Sequence, residues 1–243
     1  MASDNEAVFS FLKQRASFVR TYPGVEAFVV WGAAADALAR IHARRLGTSF
    51  SPNGKCFAAA LVDLTRGGSV DLSTVSVPLL RTKLRHLANE PNADAATVAL
   101  ARAFAHGPGR GQIWSMREDL ASASGVRATL VGTPQQRLLD RFRYSDVLYR
   151  EYRCAFVHSL DGGSSTSSGM GDPREAVAPA YMNYGYLDGD PSDPRGPQSK
   201  PPVKITFGQP LLAKLLDEML AREEQECRAA GYEVPRYATH DDD

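Results

Sequence analysis

Residues 25 to 46 constrain this chain more than any other stretch. Val25-Glu26-Ala27-Phe28-Val29-Val30-Trp31 runs on into Ala33-Ala34-Ala35-Asp36-Ala37-Leu38-Ala39-Arg40-Ile41, with Pro23 ahead of it and Gly47 behind. Alanine is the best helix former, and a helix that is apolar on most faces has to be enclosed by others. The segment therefore predicts a central helix ending near Gly47 and a mainly α fold around it. Its far end, Arg40-Ile41-His42-Ala43-Arg44-Arg45, places cations at a C-terminus, where the helix dipole favours them.

Partners for that helix follow along the chain. Ser3 or Asp4 can cap a helix over about 5–21, with Val8, Phe11, Leu12, Arg15 and Phe18-Val19 as its stripe. Shorter helices are expected around Lys55 to Thr65, Arg81 to His86 and Ala95 to Ala105, separated by Gly67-Gly68 and by the polar stretch near Asn89 to Asp94. Thr133-Pro134 starts a helix, as a cap followed by proline at the first position, and it is expected to run unbroken through Leu138, Phe142, Val147 and Tyr152 to His158. Pro210 opens the last helix, from Leu211 to Ala229, with Leu212, Leu215, Leu216, Met219 and Leu220 inward. Ala180 to Tyr186 and Val203 to Phe207 alternate as strands do and predict a small β-hairpin inserted before the C-terminal helix. Ser/Gly-rich residues at about 161–172 and a stretch at about 188–202, with five prolines, are expected as flexible loops, and the tail at about 236–243 as disordered. The length of 243 residues fits one domain over 1–243.

Charge and cysteines exclude several classes of function. With 28 Lys+Arg against 28 Asp+Glu, no whole-molecule field draws nucleic acid, so such a substrate needs a local patch. Three widely spaced cysteines, Cys56, Cys154 and Cys227, suit free thiols better than a disulfide framework or a zinc site. His42, His86, His106 and His240 show no metal spacing, and no metal or cofactor is expected. Without a signal-like N-terminus or an 18-residue apolar run, the expectation is a cytoplasmic protein with no membrane association.

The chemistry-bearing stretch is Tyr149-Arg150-Glu151-Tyr152-Arg153-Cys154-Ala155-Phe156-Val157-His158. Arg153 offers a fork of donors that matches a phosphate, and His158 can exchange a proton near pH 7 without special tuning. On an ideal α-helix the two are about 140° apart, so convergence needs the helix to end near His158 or a second copy across a two-fold axis. Tyr149, Tyr152 and Arg150 are candidates to orient a phosphate or stack a base, with aromatic packing between helices the favoured alternative for the two tyrosines. The helix carries Arg137, Arg141, Arg143, Arg150 and Arg153 against Asp140, Asp146 and Glu151, a modest basic patch. The alternative is structural: Arg153 pairs with a carboxylate such as Asp146 or Asp36, and His158 closes the helix. Asp36, inside an apolar helix, needs a hydrogen-bonded or ionic partner and is a candidate to hold an arginine of this segment.

Arg153-Cys154-Ala155-Phe156-Val157-His158 resembles the R-x4-6-H signature of the HEPN superfamily (higher eukaryotes and prokaryotes nucleotide-binding), and its setting, with Leu148-Tyr149 ahead and Ser159 behind, is similar to bacterial HEPN-like proteins. The order of helices agrees with that family. The resemblance implies an up-and-down helical bundle, homodimers whose two motifs share a cleft, and metal-independent endoribonuclease activity with Arg153 and His158 catalytic, in members that serve as toxins or antiviral effectors. It further implies RNA as ligand and a protein partner such as an antitoxin. Other members of the family are noncatalytic RNA-binding or protein-interaction modules. Cys154 stands where active members commonly carry a polar residue; as a small hydrophobe it suits structural support. If the site is catalytic, a ribose 2′-hydroxyl attacks the adjacent phosphorus, His158 acts as general base and its second copy as general acid, and Arg153 stabilises the charge that develops on the phosphoryl oxygens.

Overall fold

The computed structural model describes residues 4–22, 24–48, 54–103, 114–115, 125, 127–154, 180–182 and 204–235. The expected loops at 161–172 and 188–202, the tail at 236–243 and His158 lie outside the described residues. The fold is mainly helical: α1 (Asp4–Thr21), α2 (Val25–Arg45), α3 (Gly54–Leu64), α4 (Val77–Ala88) and α5 (Ala95–Ala103) are followed by a 3-10 turn at Pro134–Gln136, α6 (Arg137–Arg141), α7 (Tyr144–Val147), a π-helical stretch at Leu148–Cys154, and α8 (Gln209–Ala230). Among the described residues, no helix is long and apolar enough to cross a membrane.

Helix α2 is the axis of the molecule. It packs against α1, α3, α8 and the π-helical stretch, which its composition demands: Trp31, Ala35, Leu38 and Ala39 are fully enclosed. Its alanines let neighbouring helices approach closely, while Phe28 and Trp31 fill the space between them. Gly47, at φ 65°, turns the chain away just past its end. Helix α8 starts with Pro210 in its first turn and stops at Gly231 in the left-handed conformation, where the Tyr232 N–H returns to the Cys227 carbonyl at 2.9 Å. Leu212, Leu215, Leu216, Met219 and Leu220 face the core from it.

Two expectations are corrected. In α1 the buried stripe is Phe9, Leu12, Ala16 and Val19, while Phe11 is 47% exposed. The helix carries apolar residues on two faces, and the sequence pattern merged them. The helix expected to run unbroken from Thr133 to His158 is divided within its described part. The Phe142 carbonyl accepts from the Ser76 N–H at 2.7 Å, the Tyr144 N–H donates to the Thr74 carbonyl at 2.9 Å, and the Ser145 N–H donates to the Leu72 carbonyl at 3.1 Å. A β-bridge between Val75 and Arg143 thus takes over backbone groups that a continuous helix would use.

Three short strands, β1 (Trp114–Ser115), β2 (Ala180–Met182) and β3 (Lys204–Thr206), pair antiparallel in that order, with Trp114 opposite Tyr181 and Tyr181 opposite Ile205. The chain leaves β3 through Phe207, which is fully buried beside Tyr144 and Tyr152. This contact anchors the sheet to the segment that carries the candidate site.

Candidate functional site

From Leu148 the backbone winds with π-helical geometry as far as Cys154. Such stretches are rare and occur frequently at functional sites, because the wider turn re-aims side chains. The offset of about 140° between residues five apart assumes α-helical winding. That assumption fails over the segment that carries Arg153, since a π-helix bonds each residue to the fifth along and brings residues at that spacing towards one face. The π-helical winding is described only as far as Cys154, so the offset between Arg153 and His158 lies outside the described residues.

Arg153 lies where this stretch crosses α2. Its Nη2 is 3.4 Å from Asp36 Oδ1, and the other oxygen of Asp36 receives Arg40 Nε at 3.2 Å. One carboxylate is therefore shared by two guanidiniums, which leaves the trio with a net positive charge. Asp36 satisfies both arginines from within an apolar helix, as an acid in that position requires. The Arg153 side chain keeps 22% of its surface in solvent, and its Cζ stands 5.7 Å from the centre of the Tyr149 ring, a cation-on-ring contact. Its Nη1 also approaches the Cys154 sulfur at 4.0 Å. Burial, followed by the hydrogen bond with Cys154, pushes the Tyr149 phenol above its ordinary value, so Tyr149 remains neutral at physiological pH.

The Tyr149 ring packs on Phe57 at 5.4 Å between centroids and covers the start of α3. A Cβ added to Gly54 would fall 2.2 Å from two carbons of that ring. Gly54→Ala must displace Tyr149, and we expect it to destabilise the fold by about 1–3 kcal/mol as an overpacking change. Urea denaturation checks this, with near-ultraviolet circular dichroism reporting the displaced tyrosine.

The remaining candidates have internal roles. Tyr152, a candidate for contacting RNA, is 1% exposed; its hydroxyl accepts the Phe207 N–H at 2.7 Å and its ring packs on Phe28 and Phe207. That corrects its assignment, because a ring enclosed on all sides has no face left for a base. Arg150 is half-buried and engaged within the chain: Nη2 donates to the Arg141 carbonyl at 2.5 Å, the guanidinium lies over Phe142, and Nη1 is 3.5 Å from Glu151. Burial lowers the Arg150 pKa from its ordinary value and raises that of Asp146 despite Arg143 and Arg150 nearby. The patch is further reduced by an ion pair between Arg143 and Asp140. Of the five arginines on this segment, Arg153 combines partial exposure with a shared counter-ion.

A second polar cluster escaped the sequence reading. Glu223 of α8 has no exposed surface, yet it receives His42 Nδ1 at 2.9 Å, Arg45 Nε at 2.8 Å and Arg45 Nη2 at 3.2 Å, and the Cys227 thiol approaches it at 3.5 Å. Burial pushes the Cys227 thiol up to about 12, with Glu223 adding to the shift, so this cysteine is inert. The signal was present in the pattern: Glu223 continues the stripe of Leu212, Leu216 and Met219, and His42 that of Ala35 and Leu38. A titratable residue on a buried stripe demands a partner. Among the described residues, no group of three or more His, Cys, Asp or Glu is arranged to hold a metal ion.

Comparison with protein-family models, with curated proteins and with solved structures finds no match for this chain.

Proposed function

We propose that this chain is a HEPN-like, metal-independent endoribonuclease in which Arg153 binds the scissile phosphate and His158 moves the proton. The observation that carries the reading is the Asp36 carboxylate shared between Arg40 and Arg153 beside a π-helical turn. It holds in place a partly exposed guanidinium fork, and such a fork matches a phosphate. In the reaction the ribose 2′-hydroxyl loses its proton to His158 and attacks the adjacent phosphorus. The bond to the 5′-oxygen breaks, leaving a 2′,3′-cyclic phosphate, and the departing oxygen takes up a proton from the protonated His158 of a second copy. Arg153 stabilises the charge on the phosphoryl oxygens, and the neutral Tyr149 beneath it holds the guanidinium on its ring face.

The test is incubation of purified protein with end-labelled RNA in the presence of a chelator, alongside His158→Ala and Arg153→Ala. We expect cleavage that persists with chelator and falls by at least 100-fold in either variant, in line with the loss of a general base or an oxyanion donor. Cleavage indifferent to His158→Ala would defeat the assignment. A second reading, a noncatalytic RNA-binding or protein-interaction module of the same family, is favoured by Cys154, whose sulfur faces Arg153 where a polar helper would stand. It predicts RNA retention without cleavage, weakened by Arg153→Ala.

A further inference from the structure

We propose that His42 is a proton-operated latch: a proton on its Nε2 draws in the Asp63 carboxylate and ties the end of α3 to the contact between α2 and α8. This does not rest on the ribonuclease reading. Helix α3 carries Gly54 and Phe57 against the Tyr149 ring at its start and Asp63 at its end. The latch therefore acts on the helix against which Tyr149 rests.

The state of one ring nitrogen follows from its partner. His42 Nδ1 is 2.9 Å from Glu223 Oε2. Burial raises the pKa of Glu223, but hydrogen bonds from His42 and Arg45 outweigh it, so the group is an ionised carboxylate and can only accept. Nδ1 therefore carries a hydrogen. In the neutral ring Nε2 is then a bare lone pair. It is enclosed, has no hydrogen-bond partner, and looks onto Asp63 Oδ2 at 3.8 Å. Two acceptors thus face each other, and an enclosed acceptor left without a donor costs about 1–3 kcal/mol. A proton on Nε2 makes it a donor and removes that cost.

The surrounding charges favour the same change. Glu223 and Glu226 on α8 and Asp63 on α3 stand against Arg45 on α2 and Arg66 just after α3. Three carboxylates against two guanidiniums leave one negative charge over, which an imidazolium balances. The Cys227 thiol, pushed up to about 12 by burial and then by Glu223, stays neutral. Burial of the ring and the approach of Arg45 Nη2 to Nδ1 at 3.2 Å oppose the charge. Asp63 is the part that adjusts. Its side chain is 41% exposed and held by Arg66 in a surface ion pair, a contact worth about 1 kcal/mol or less. A movement of about 1 Å brings its oxygen within hydrogen-bond distance of Nε2.

Nitrogen NMR of the labelled full chain, from about pH 5.5 to about pH 8.5, reads the His42 ring directly. We expect Nε2 to carry a proton at the acid end and to lose it towards the alkaline end. In Asp63→Asn the loss comes about 0.5–1 pH unit lower, because the counter-charge is gone and the introduced amide can donate to the bare nitrogen. Arg66→Ala frees Asp63 from its competitor and moves the loss to higher pH. Stability follows the same proton. A proton that the folded chain holds more firmly than the unfolded one stabilises at low pH and ceases to as pH rises. In urea denaturation Asp63→Asn should therefore be less stable than wild type at about pH 6 and as stable or more so at about pH 8. A bare Nε2 throughout the range, a loss at the same pH in wild type and Asp63→Asn, or a stability difference that does not change with pH would each overturn the proposal.

Discussion

Glu223→Ala is expected to destabilise the protein by about 3–5 kcal/mol, because it removes the buried acceptor on which His42 and Arg45 converge and leaves the largely buried Arg45 guanidinium with the half-exposed Glu226, at 3.5 Å, as its counter-ion. For a chain of this length that corresponds to a fall of roughly 6–20 °C in melting temperature. The loss belongs to broken pairing, not to the worth of the ion pair. Replacing Glu223, His42 and Arg45 together by apolar residues of similar volume should recover most of it, since a buried ion pair exchanged for packed hydrocarbon is often neutral. Urea denaturation of the single and triple variants separates the two. A triple variant no more stable than Glu223→Ala would show that the cluster gives the α2–α8 contact something packing cannot.

The same carboxylate fixes a pH dependence. Burial alone would raise the pKa of Glu223, but hydrogen bonds from His42 and Arg45, with their charges, outweigh it and hold the group below its ordinary value. A folded pKa below the unfolded one, about 4.3, means that the unfolded chain binds more protons near that pH. The stabilisation is therefore whole above about pH 4.3 and is lost as pH falls through the lower, folded value. The stability gap between wild type and Glu223→Gln should be wider at about pH 5 than at about pH 3. A gap that widened on acidification would reverse the sign assigned here.

How much of this was legible in the sequence differs from element to element. Helix α2 was read correctly as central because its composition leaves no polar face to give to solvent, and α8, read as Leu211 to Ala229 after Pro210, spans Gln209–Ala230. In α1, by contrast, a helix with two apolar faces defeats a single-stripe reading: Phe11 and Phe18 are as hydrophobic as Phe9 and Leu12, and periodicity does not say which stripe finds a partner within the chain. The break at Phe142–Tyr144 was hidden for another reason. It is imposed by carbonyls and amides of residues 72–76, some 70 positions away, and no local propensity encodes a backbone partner at that distance. Asp36 was legible as an acid in need of a partner, and Arg153 as a cation able to supply one. That Arg40 would share the same carboxylate depends on the way α2 lies against the π-helical stretch.

Tyr152→Ala should have the other large effect, about 3–5 kcal/mol, from the cavity left where its ring meets Phe28 and Phe207. Tyr152→Phe isolates the hydroxyl: the ring stays, and the Phe207 N–H, which is buried and now donates to Tyr152 at 2.7 Å, loses its acceptor. The cost is about 1–3 kcal/mol, the desolvation penalty of an unsatisfied amide. Because Tyr152 is enclosed while Tyr149 and Arg153, three residues before and one after it, are partly exposed, the two variants also divide packing from ligand contact. If the proposed RNA-binding reading holds, Tyr152→Phe, assayed below its melting temperature, should bind RNA within twofold of wild type. Tyr152→Ala should weaken binding only as far as it unfolds the π-helical turn that holds Arg153 against Asp36, a loss that lower temperature restores. A Tyr152→Phe variant with wild-type stability and tenfold weaker RNA binding would return this tyrosine to the ligand.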